Sequence, residues 1–263
     1  MSDYFCNKVI LLTGASSGIG RALALELAQK KARVGLLARR EPLLQELTQE
    51  FLALDVPCAL AVADVSRRDD VQRAARQVAD QLGPIDILIA NAGVGTPTFL
   101  DPVNIQDVER MFQVNLFGMI YAIEAVLPTM LQRRAGQIAA VSSLAAFKGL
   151  PGESAYCASK AAMNIYLEGL RIQLREKKIA VTTICPGFVH TPMTAANDFH
   201  MPMAMSAAQA ATNILRAIAR RKKIYRFPRA MSWLMRLTSI LPDWVIARSM
   251  NQYNEKPPVN SIG

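Results

Sequence analysis

The stretch TGASSGIG, residues 13–20, joins an apolar run, KVILLTG (8–14), to a segment with helical periodicity that extends to about Lys30. Gly14 permits a tight turn, Gly18 removes a side chain where a pyrophosphate must approach, and Gly20 lets the helix pack closely. The positive end of that helix would face the phosphates. Although the spacing is Gly-x-x-x-Gly-x-Gly rather than the commoner Gly-x-Gly-x-x-Gly, its place after a first strand predicts a dinucleotide-binding turn.

Short apolar runs alternate with amphipathic segments along the rest of the chain. We predict strands at 8–14, 32–38, 57–65, 85–93, 136–143, 179–187 and, at the sheet edge, 223–227. Strands that are apolar throughout, most of them followed by a helix, indicate a parallel sheet covered on both faces. The sequence therefore predicts a single doubly wound α/β (Rossmann) domain over residues 1–263, with a seven-stranded, mostly parallel sheet and a ligand crevice at the strands' carboxyl ends.

Composition limits the kinds of site the chain can hold. The four cysteines, Cys6, Cys58, Cys157 and Cys185, show no metal-ligand spacing, and only two histidines occur, so no metal site is expected. A Ser-His-Asp triad has little material for the same reason. With no signal peptide and no run of 18 apolar residues, we expect a cytoplasmic protein with reduced thiols.

The end of the second predicted strand discriminates between nicotinamide cofactors. A carboxylate there would accept hydrogen bonds from the ribose 2′-hydroxyl of NAD, but the chain reads Leu37-Ala38-Arg39-Arg40. A guanidinium can pair with a 2′-phosphate by charge-assisted hydrogen bonds. Arg39 therefore predicts NADP(H), whereas Arg40 fits a phosphate partner and an exposed cap equally well.

YCASK (156–160) contains a tyrosine and a lysine four residues apart, Tyr156 and Lys160. On a helix this spacing places both side chains on one face. A neighbouring ammonium favours the phenolate, so we expect the pKa of Tyr156 to fall toward the range where it exchanges a proton with a carbonyl oxygen. A tyrosine and a lysine at this spacing usually lie on the surface of a helix without a function. Only the other motifs of the chain make this pair a candidate catalytic site.

Seven motifs together supply that context, and with them the sequence resembles the short-chain dehydrogenases/reductases. They occur in the family's order and spacing over about residues 8–191: TGASSGIG, Asp64, NAG (91–93), Asn115, Ser143, YCASK and PGFVHT (186–191). The resemblance implies an oxidoreductase that interconverts a carbonyl and an alcohol with a nicotinamide cofactor. Beyond about residue 195 it says little.

The resemblance also implies roles for individual residues. Tyr156 would be the general acid in reduction, with Lys160 lowering its pKa and holding the nicotinamide ribose, Ser143 (or, less well, Ser142) binding the substrate carbonyl, and Asn115 holding a water of a proton relay. The expected cofactor-binding residues are Gly14, Ser16, Ser17, Gly18, Ile19, Gly20, Arg39, Asp64, Val65, Asn91, Ala92, Gly93, Tyr156, Lys160, Pro186, Gly187, Val189 and Thr191.

The substrate is predicted from the segment that follows PGFVHT. Residues 190–210 would form a lid rich in methionine, and flexible thioethers suit an apolar, adaptable pocket. Phe188 and Met193, with Phe147 and Leu150, would add apolar walls beside Ser143 and Tyr156. We expect a ketone or aldehyde on a lipid-like body, such as a 3-oxo-acyl chain, a 3-ketosphingoid base or a steroid. The alternative is a regulatory protein that binds a dinucleotide without turnover. Such a protein would be expected to lack one or more of the catalytic residues.

Most of the net charge of +9 lies near RRKKIYRFPRAMSWLMRL (220–237), because no acidic residue occurs between Asp198 and Asp243. A basic edge strand at 223–227 and an apolar, basic helical extension over 228–250 are predicted here. The extension would meet a membrane surface or a partner subunit, with a homodimer or homotetramer expected. A nucleic-acid-binding tract, which would need aromatics displayed for stacking, is a further alternative, but no nucleic-acid partner is expected.

Overall fold

The computed structural model describes residues 4–195, 201–239 and 241–249. The first half of the chain forms β1 (Val9–Thr13), α1 (Gly18–Gln29), β2 (Arg33–Ala38), α2 (Glu41–Ala53), β3 (Cys58–Val62), α3 (Arg68–Leu82), β4 (Ile87–Ala90), α4 (Ile105–Met111) and α5 (Gly118–Arg133). The second half forms β5 (Gly136–Val141), α6 (Ser154–Leu174), β6 (Ile179–Pro186), β7 (Val189–His190), β8 (Met205–Ser206), α7 (Ala207–Ala219), β9 (Ile224–Phe227), α8 (Arg229–Ser239) and α9 (Asp243–Ser249).

The main sheet has the order β3-β2-β1-β4-β5-β6-β9, and every neighbouring pair is parallel. The predicted doubly wound architecture is confirmed, with the sheet wholly rather than mostly parallel. Its strand order reverses between β1 and β4. In such sheets the carboxyl ends of the two strands at the reversal open a crevice, which here lies between the turn after β1 and the residues after β4.

Apolar residues fill both faces of the sheet. One cluster packs α3, α5 and α6 against it through residues such as Val71, Val126 and Leu167. The other packs α1, α2 and α7 through Leu23, Leu47 and Ile214. Because both faces are covered, the strands carry few polar side chains, which explains the continuous apolar runs in the sequence.

Residues 105–133 form one continuous helical stretch, in which a π-helical segment, Phe112–Phe117, separates α4 from α5. Ile105–Arg133 is long and apolar enough to cross a membrane by length and composition alone. Its buried residues, among them Met119 and Val126, belong to the core beside the sheet, as expected for a core helix. The π-helical segment carries Asn115, and such segments often occur at functional sites.

The segment expected as a lid contains a two-stranded parallel sheet in which Val189 pairs with Met205 and His190 with Ser206. A capping box, formed by Ser206 and Gln209, starts α7 directly after it. Residues 196–200 of the expected lid, including Phe199, lie outside the described residues.

At the far end of the sheet, β9 is an edge strand, as predicted. Its Arg226 guanidinium lies 4.5 Å from the centre of the Phe147 ring. α8 packs against the short 3-10 helix Leu144–Phe147 through Met231. The expected extension at 228–250 is therefore helical where it is described, and one side of it belongs to the core.

Candidate active site

The phosphate loop between β1 and α1 is shaped by close backbone contacts. Gly14 has φ +69°, and a Cβ on Gly20 would lie 1.9 Å from the Gly14 carbonyl oxygen. The Asn91 amide donates to the carbonyls of Thr13 and Gly14 at 3.1 and 3.3 Å. Asn91 was predicted to line the cofactor's ribose; its amide group also fastens the loop to the end of β4.

A single cleft runs from the phosphate loop to Tyr156, and it brings together every predicted cofactor residue. Its lining includes Gly14, Ser16, Ser17, Gly18, Ile19, Gly20, Arg39, Asp64, Val65, Asn91, Ala92, Gly93, Ser143, Tyr156, Lys160, Pro186, Gly187, Val189, Thr191 and Met193. Among the residues that the structure describes, others also line this cleft although the sequence did not identify them as cofactor-binding: Ala38, Arg40, Ala63, Val94, Val114, Val141, Ser142, Pro192 and Thr194.

The loop's donors suit a dinucleotide. Ser17 is the N-cap residue of α1, and within the described part of the chain its side chain makes no capping hydrogen bond. The first amides of a helix have no intrahelical acceptor, so those of α1 face the cleft region as anion donors. Glycines leave the backbone open on this side. The residues present therefore fit the pyrophosphate of a nicotinamide cofactor.

Asp64 and Arg39 meet at the other end of the cleft. The Arg39 Nη1 lies 3.6 Å from the Asp64 Oδ2, and the other carboxylate oxygen accepts from the Ser66 amide and hydroxyl at 2.9 and 2.7 Å. Partial burial raises the pKa of Asp64, but the hydrogen bonds from Ser66 and the charge of Arg39 together hold that pKa below its ordinary value. Asp64 is therefore an anion whose charge Arg39 offsets.

Arg40 is the exposed N-cap residue of α2, but its side chain makes no capping hydrogen bond to the residues that the structure describes there. Its Nη2 donates instead to the hydroxyls of Ser16 at 3.1 Å and Ser17 at 2.7 Å in the phosphate loop. The two interpretations that the sequence left open for this residue, an exposed cap and a site near phosphate groups, both agree with this position. The cleft thus has two guanidinium groups at the end of β2.

Tyr156 stands in the first turn of α6 facing the cleft. Burial raises its pKa to about 12, partly offset by a hydrogen bond with the Ser143 side chain. We expected the nearby ammonium to lower this pKa, and the structure differs. The Lys160 Nζ lies 5.8 Å from the Tyr156 ring centre and donates to the Val141 carbonyl at 3.1 Å. Burial is the largest influence on the pKa of Tyr156.

Lys160 and Asn115 converge on Gly93. A Cβ on Gly93 would lie 3.2 Å from the Asn115 Oδ1 and 3.3 Å from the Lys160 Nζ. Asn115 is fully buried: its Oδ1 accepts from the Val94 amide at 2.8 Å, and its Nδ2 donates to the Val94 carbonyl and the Ser159 hydroxyl. Burial lowers the pKa of Lys160 to about 8. Asn115 thus fixes the strand-end loop against which Lys160 packs.

The predicted substrate residues are separated in the structure. Met193 lines the cleft, and its Sδ would lie 3.7 Å from a Cβ on Gly95, which also approaches the Tyr156 ring. Phe188 lies instead with Phe147 against an apolar cluster of Leu144, Cys185 and Met231. Of the two predicted apolar substrate residues, Met193 is therefore the one near the Tyr156 ring. Phe188 packs instead in the cluster that contains Leu144, the residue after Ser143.

A dinucleotide cleft that ends at a serine, a tyrosine and a lysine defines a nicotinamide-dependent oxidoreductase. Comparison with known families agrees: the short chain dehydrogenase model matches residues 8–201. This chain belongs to the short-chain dehydrogenase/reductase family and is an oxidoreductase.

Individual relatives cover nearly the whole chain. It is 38% identical over 236 residues to an uncharacterised oxidoreductase of Myxococcus xanthus, covering 90% of this chain and 93% of that protein. It is 34% identical over 256 residues to the 11-beta-hydroxysteroid dehydrogenase-like protein 4A of Arabidopsis thaliana, covering 94% and 85%. A short-chain dehydrogenase/reductase of unknown function from Caenorhabditis elegans, solved with cofactor, superposes with a TM-score of 0.77 at 25% identity, covering 87% and 97%.

Proposed function

We propose that the protein is an NADPH-dependent reductase that converts a ketone or an aldehyde to an alcohol. The observation that carries this proposal is the convergence of Ser143, Tyr156 and Lys160 on the cleft that the phosphate loop also lines. Asn115, the fourth member of the catalytic set implied by the resemblance, lies buried beside Gly93. A silent dinucleotide-binding regulator would not need all four residues.

Tyr156 is the proton donor of the proposed reduction. With a pKa of about 12, its phenol stays protonated at neutral pH and is ready to protonate a carbonyl oxygen. Ser143, which hydrogen-bonds with Tyr156, is close enough to bind the same oxygen. When bound, the nicotinamide cofactor supplies the hydride that reduces the carbonyl carbon.

Lys160 has two roles in the proposal, holding the ribose hydroxyls and restoring the proton of Tyr156. Its pKa of about 8 leaves it mostly charged at neutral pH but able to release a proton. Asn115 would hold the water through which that proton is replaced. The π-helical segment around Asn115 and the contacts of both residues with Gly93 support this pairing.

The preference for NADP(H) is supported by the two guanidinium groups at the end of β2. Arg39 lines the cleft and is 54% exposed, and Arg40 lies over Ser16 and Ser17. Asp64, the acid beside them, is offset by Arg39 and hydrogen-bonded by Ser66. A 2′-phosphate would therefore meet net positive charge.

The proposed substrate is a carbonyl on a lipid-like body: a 3-oxo-acyl chain, a 3-ketosphingoid base or a steroid. Met193 offers a flexible apolar contact beside Tyr156, and the 3-10 helix Leu144–Phe147 supplies apolar side chains next to Ser143. The name of the Arabidopsis relative, which contains hydroxysteroid, is consistent with an apolar substrate.

We also propose that the enzyme is cytoplasmic and touches an anionic membrane surface through residues 220–250. On α8 and α9, Trp233 and Trp244 are each 70% exposed, and Leu234 and Leu237 are exposed near them. Arg229 and Arg236 lie on the same extension, where no acid precedes Asp243. Exposed tryptophan among cations is typical of interfacial helices.

A homodimer or homotetramer is proposed on a different surface. Phe117 on the π-helical segment and Ile165 and Ile172 on α6 are exposed apolar residues, and these helices are neighbours. The alternative occupant of the basic C-terminal tract, a nucleic acid, is less well supported. Phe227 is buried and lies against Tyr225 with ring centres 5.4 Å apart, so neither is displayed for base stacking. Trp233 is exposed, but the Arg236 guanidinium lies 5.4 Å from the centre of its ring and covers one face.

The experiment that tests the proposed substrate class is NADPH consumption with a panel of ketones graded by chain length. We expect kcat/KM to rise with chain length, since each buried methylene contributes about 0.8 kcal/mol. A preference for short polar ketones would contradict the lipid-like substrate while leaving the reductase itself intact.

A further inference from the structure

The carboxyl edge of the sheet carries the segments around the substrate end of the cleft. Because the strand pairs are parallel, the residues that follow β4, β5, β6 and β9 all emerge at this edge. The cleft opens at the same edge beside Tyr156 and Met193, and this opening is called its mouth. The loop before α4, the lid and α8 therefore lie on the side of the molecule that carries the mouth.

The loop between β4 and α4 forms one side of the mouth. A Cβ on Gly95 would lie 3.3 Å from the nearest carbon of the Tyr156 ring and 3.7 Å from the Met193 sulfur. Farther along the loop, the Thr98 hydroxyl accepts from the Ala155 amide at 3.1 Å, which fixes the loop to the start of α6. The loop is thus held beside the catalytic tyrosine.

This loop presents apolar side chains to solvent although its backbone is anchored. The mostly exposed ones are Leu100 at 78%, Val103 at 57% and Ile105 at 56%. The Asn104 side chain cross-links the loop, because its Oδ1 accepts from the Phe99 amide at 2.9 Å and its Nδ2 donates to the Pro97 carbonyl at 2.9 Å. Exposed apolar residues grouped in this way mark a surface that contacts a partner or a membrane.

The C-terminal helices lie on another side of the mouth. The Met231 sulfur of α8 would lie 2.7 Å from a Cβ on Gly187, which lines the cleft. Asp243, at the start of α9, pairs at 3.4 Å with Lys148, in the segment between the 3-10 helix and α6. The exposed tryptophans of both helices therefore belong to the same edge of the sheet as the mouth.

The residues at this edge suit an anionic bilayer. The segment 224–239, which covers β9 and α8, contains cations such as Arg229 and Arg236 and no acid, whereas the only charged residue of 91–104 is Asp101. Between them, Met193 and Met203 of the lid are nearly half exposed. A lipid surface would attract the cations of α8 and take up the aliphatic side chains of the loop.

We propose that the enzyme acts with the mouth of its cleft against an anionic bilayer and takes its apolar carbonyl substrate directly from the lipid. This rests on the proposed lipid-like substrate. It extends the proposed membrane contact from α8 and α9 to the loop between β4 and α4. A substrate that enters in this way does not have to expose its apolar body to water, which would cost free energy. The reaction itself is unchanged.

The first test keeps the substrate constant and changes only its delivery. A long-chain methyl ketone is supplied either in vesicles of phosphatidylcholine and phosphatidylglycerol or in water on a cyclodextrin carrier, and NADPH consumption is measured. We expect Leu100→Gln with Ile105→Gln to lower kcat/KM about fivefold or more with vesicles, and less than about twofold with the carrier. Leu52→Gln with Leu54→Gln, exposed at the end of α2 on the opposite edge of the sheet, should change neither.

A second test measures the orientation without turnover. An environment-sensitive fluorophore is attached to Leu100→Cys in a Cys6→Ser background, since Cys6 is exposed. We expect its emission to shift to shorter wavelength when the anionic vesicles are added. The same label on Leu52→Cys should show no shift.

Two results would overturn the inference: a label at position 100 that does not respond to vesicles, or a Leu100→Gln and Ile105→Gln variant that reduces the vesicle-borne ketone as fast as the wild type. Both leave the proposed reductase standing, because the ketone on the carrier is still reduced. Failure of the proposed function gives a different result, since NADPH is then consumed with neither form of delivery.

Discussion

The Arg40 guanidinium donates to the Ser17 hydroxyl at 2.7 Å, across the gap between the end of β2 and the phosphate loop. The same group reaches Ser16, while Arg39 turns toward Asp64. The two arginines thus differ in position although they are adjacent in sequence. On the proposed preference for NADP(H), both would lie close to the adenosine 2′-phosphate.

Replacing Arg39 tests the cofactor preference. In Arg39→Asp, the carboxylate would repel a 2′-phosphate and accept from a 2′-hydroxyl, so the ratio of NADPH to NADH in kcat/KM should fall at least about tenfold. Arg40→Ala should lower it less, because Arg39 remains. Arg76→Asp, on the exposed side of α3, is the matched control. An unchanged ratio in Arg39→Asp would refute the assignment.

Gly20 offers a test of the phosphate loop. Its Cβ would lie 1.9 Å from the Gly14 carbonyl oxygen, which is backbone and cannot rotate away. Gly20→Ala should therefore abolish NADPH binding or folding, as read by cofactor fluorescence and thermal melting.

Gly169→Ala provides the control, since nothing lies within 4 Å of its Cβ position on α6. It should leave binding unchanged and stabilise the helix by roughly 0.5–1 kcal/mol. Native stability together with native cofactor affinity in Gly20→Ala would show that the loop is less tightly packed than described.

Sequence patterns predict the sheet and the catalytic set because both depend on local spacing. The apolar runs mark strands covered on two faces, and the four-residue spacing places Tyr156 and Lys160 on one side of α6. The properties that sequence patterns do not predict are those that depend on the tertiary environment of a residue. Burial raises the pKa of Tyr156 and lowers that of Lys160, and no local sequence pattern predicts how deeply the two side chains are buried.

Long-range packing explains the other differences. Phe188 lies within the PGFVHT motif, yet it packs in a cluster with Met231 of α8, far along the chain. Arg226 lies on the edge strand β9, where the alternating pattern predicts an exposed cation, but its guanidinium packs over the Phe147 ring. Burial raises the pKa of Glu153 to about 7, and no local sequence pattern predicts that either.

Glu153 should make stability depend on pH in a definite direction. Its pKa of about 7 in the folded protein exceeds the value of about 4.3 in an unfolded chain. The folded state therefore binds the proton more tightly, and the stability gained from protonation is lost as the pH rises toward 7 and above. Glu153→Gln should raise the free energy of unfolding more at pH 8 than at pH 4.5, by roughly 1–3 kcal/mol.

Denaturant titrations at the two pH values measure that difference, with Glu168→Gln as the exposed reference. An equal effect of Glu153→Gln at both pH values would mean that the carboxyl is not desolvated in the folded protein.

If α8 and α9 contact a membrane as proposed, their exposed tryptophans should be needed for binding to anionic vesicles. Replacing Trp233 and Trp244 together by Ala should reduce co-sedimentation with vesicles that contain anionic lipid by several-fold, and added salt should weaken the binding of the wild-type protein. Leu52→Ala removes an equally exposed apolar side chain from α2, on another surface, and should have no effect. Undiminished vesicle binding by the double variant would contradict a membrane contact through these two tryptophans.

The most direct test of the central claim is the turnover of Tyr156→Phe, measured as NADPH consumption with the best ketone of the panel. The substitution removes only the hydroxyl that donates the proton, so NADPH affinity should stay within about threefold while kcat falls by about 10²-fold or more. Tyr166→Phe, on the outer face of α6, should turn over like the wild type. A Tyr156→Phe enzyme that retains most of its turnover would contradict the mechanism.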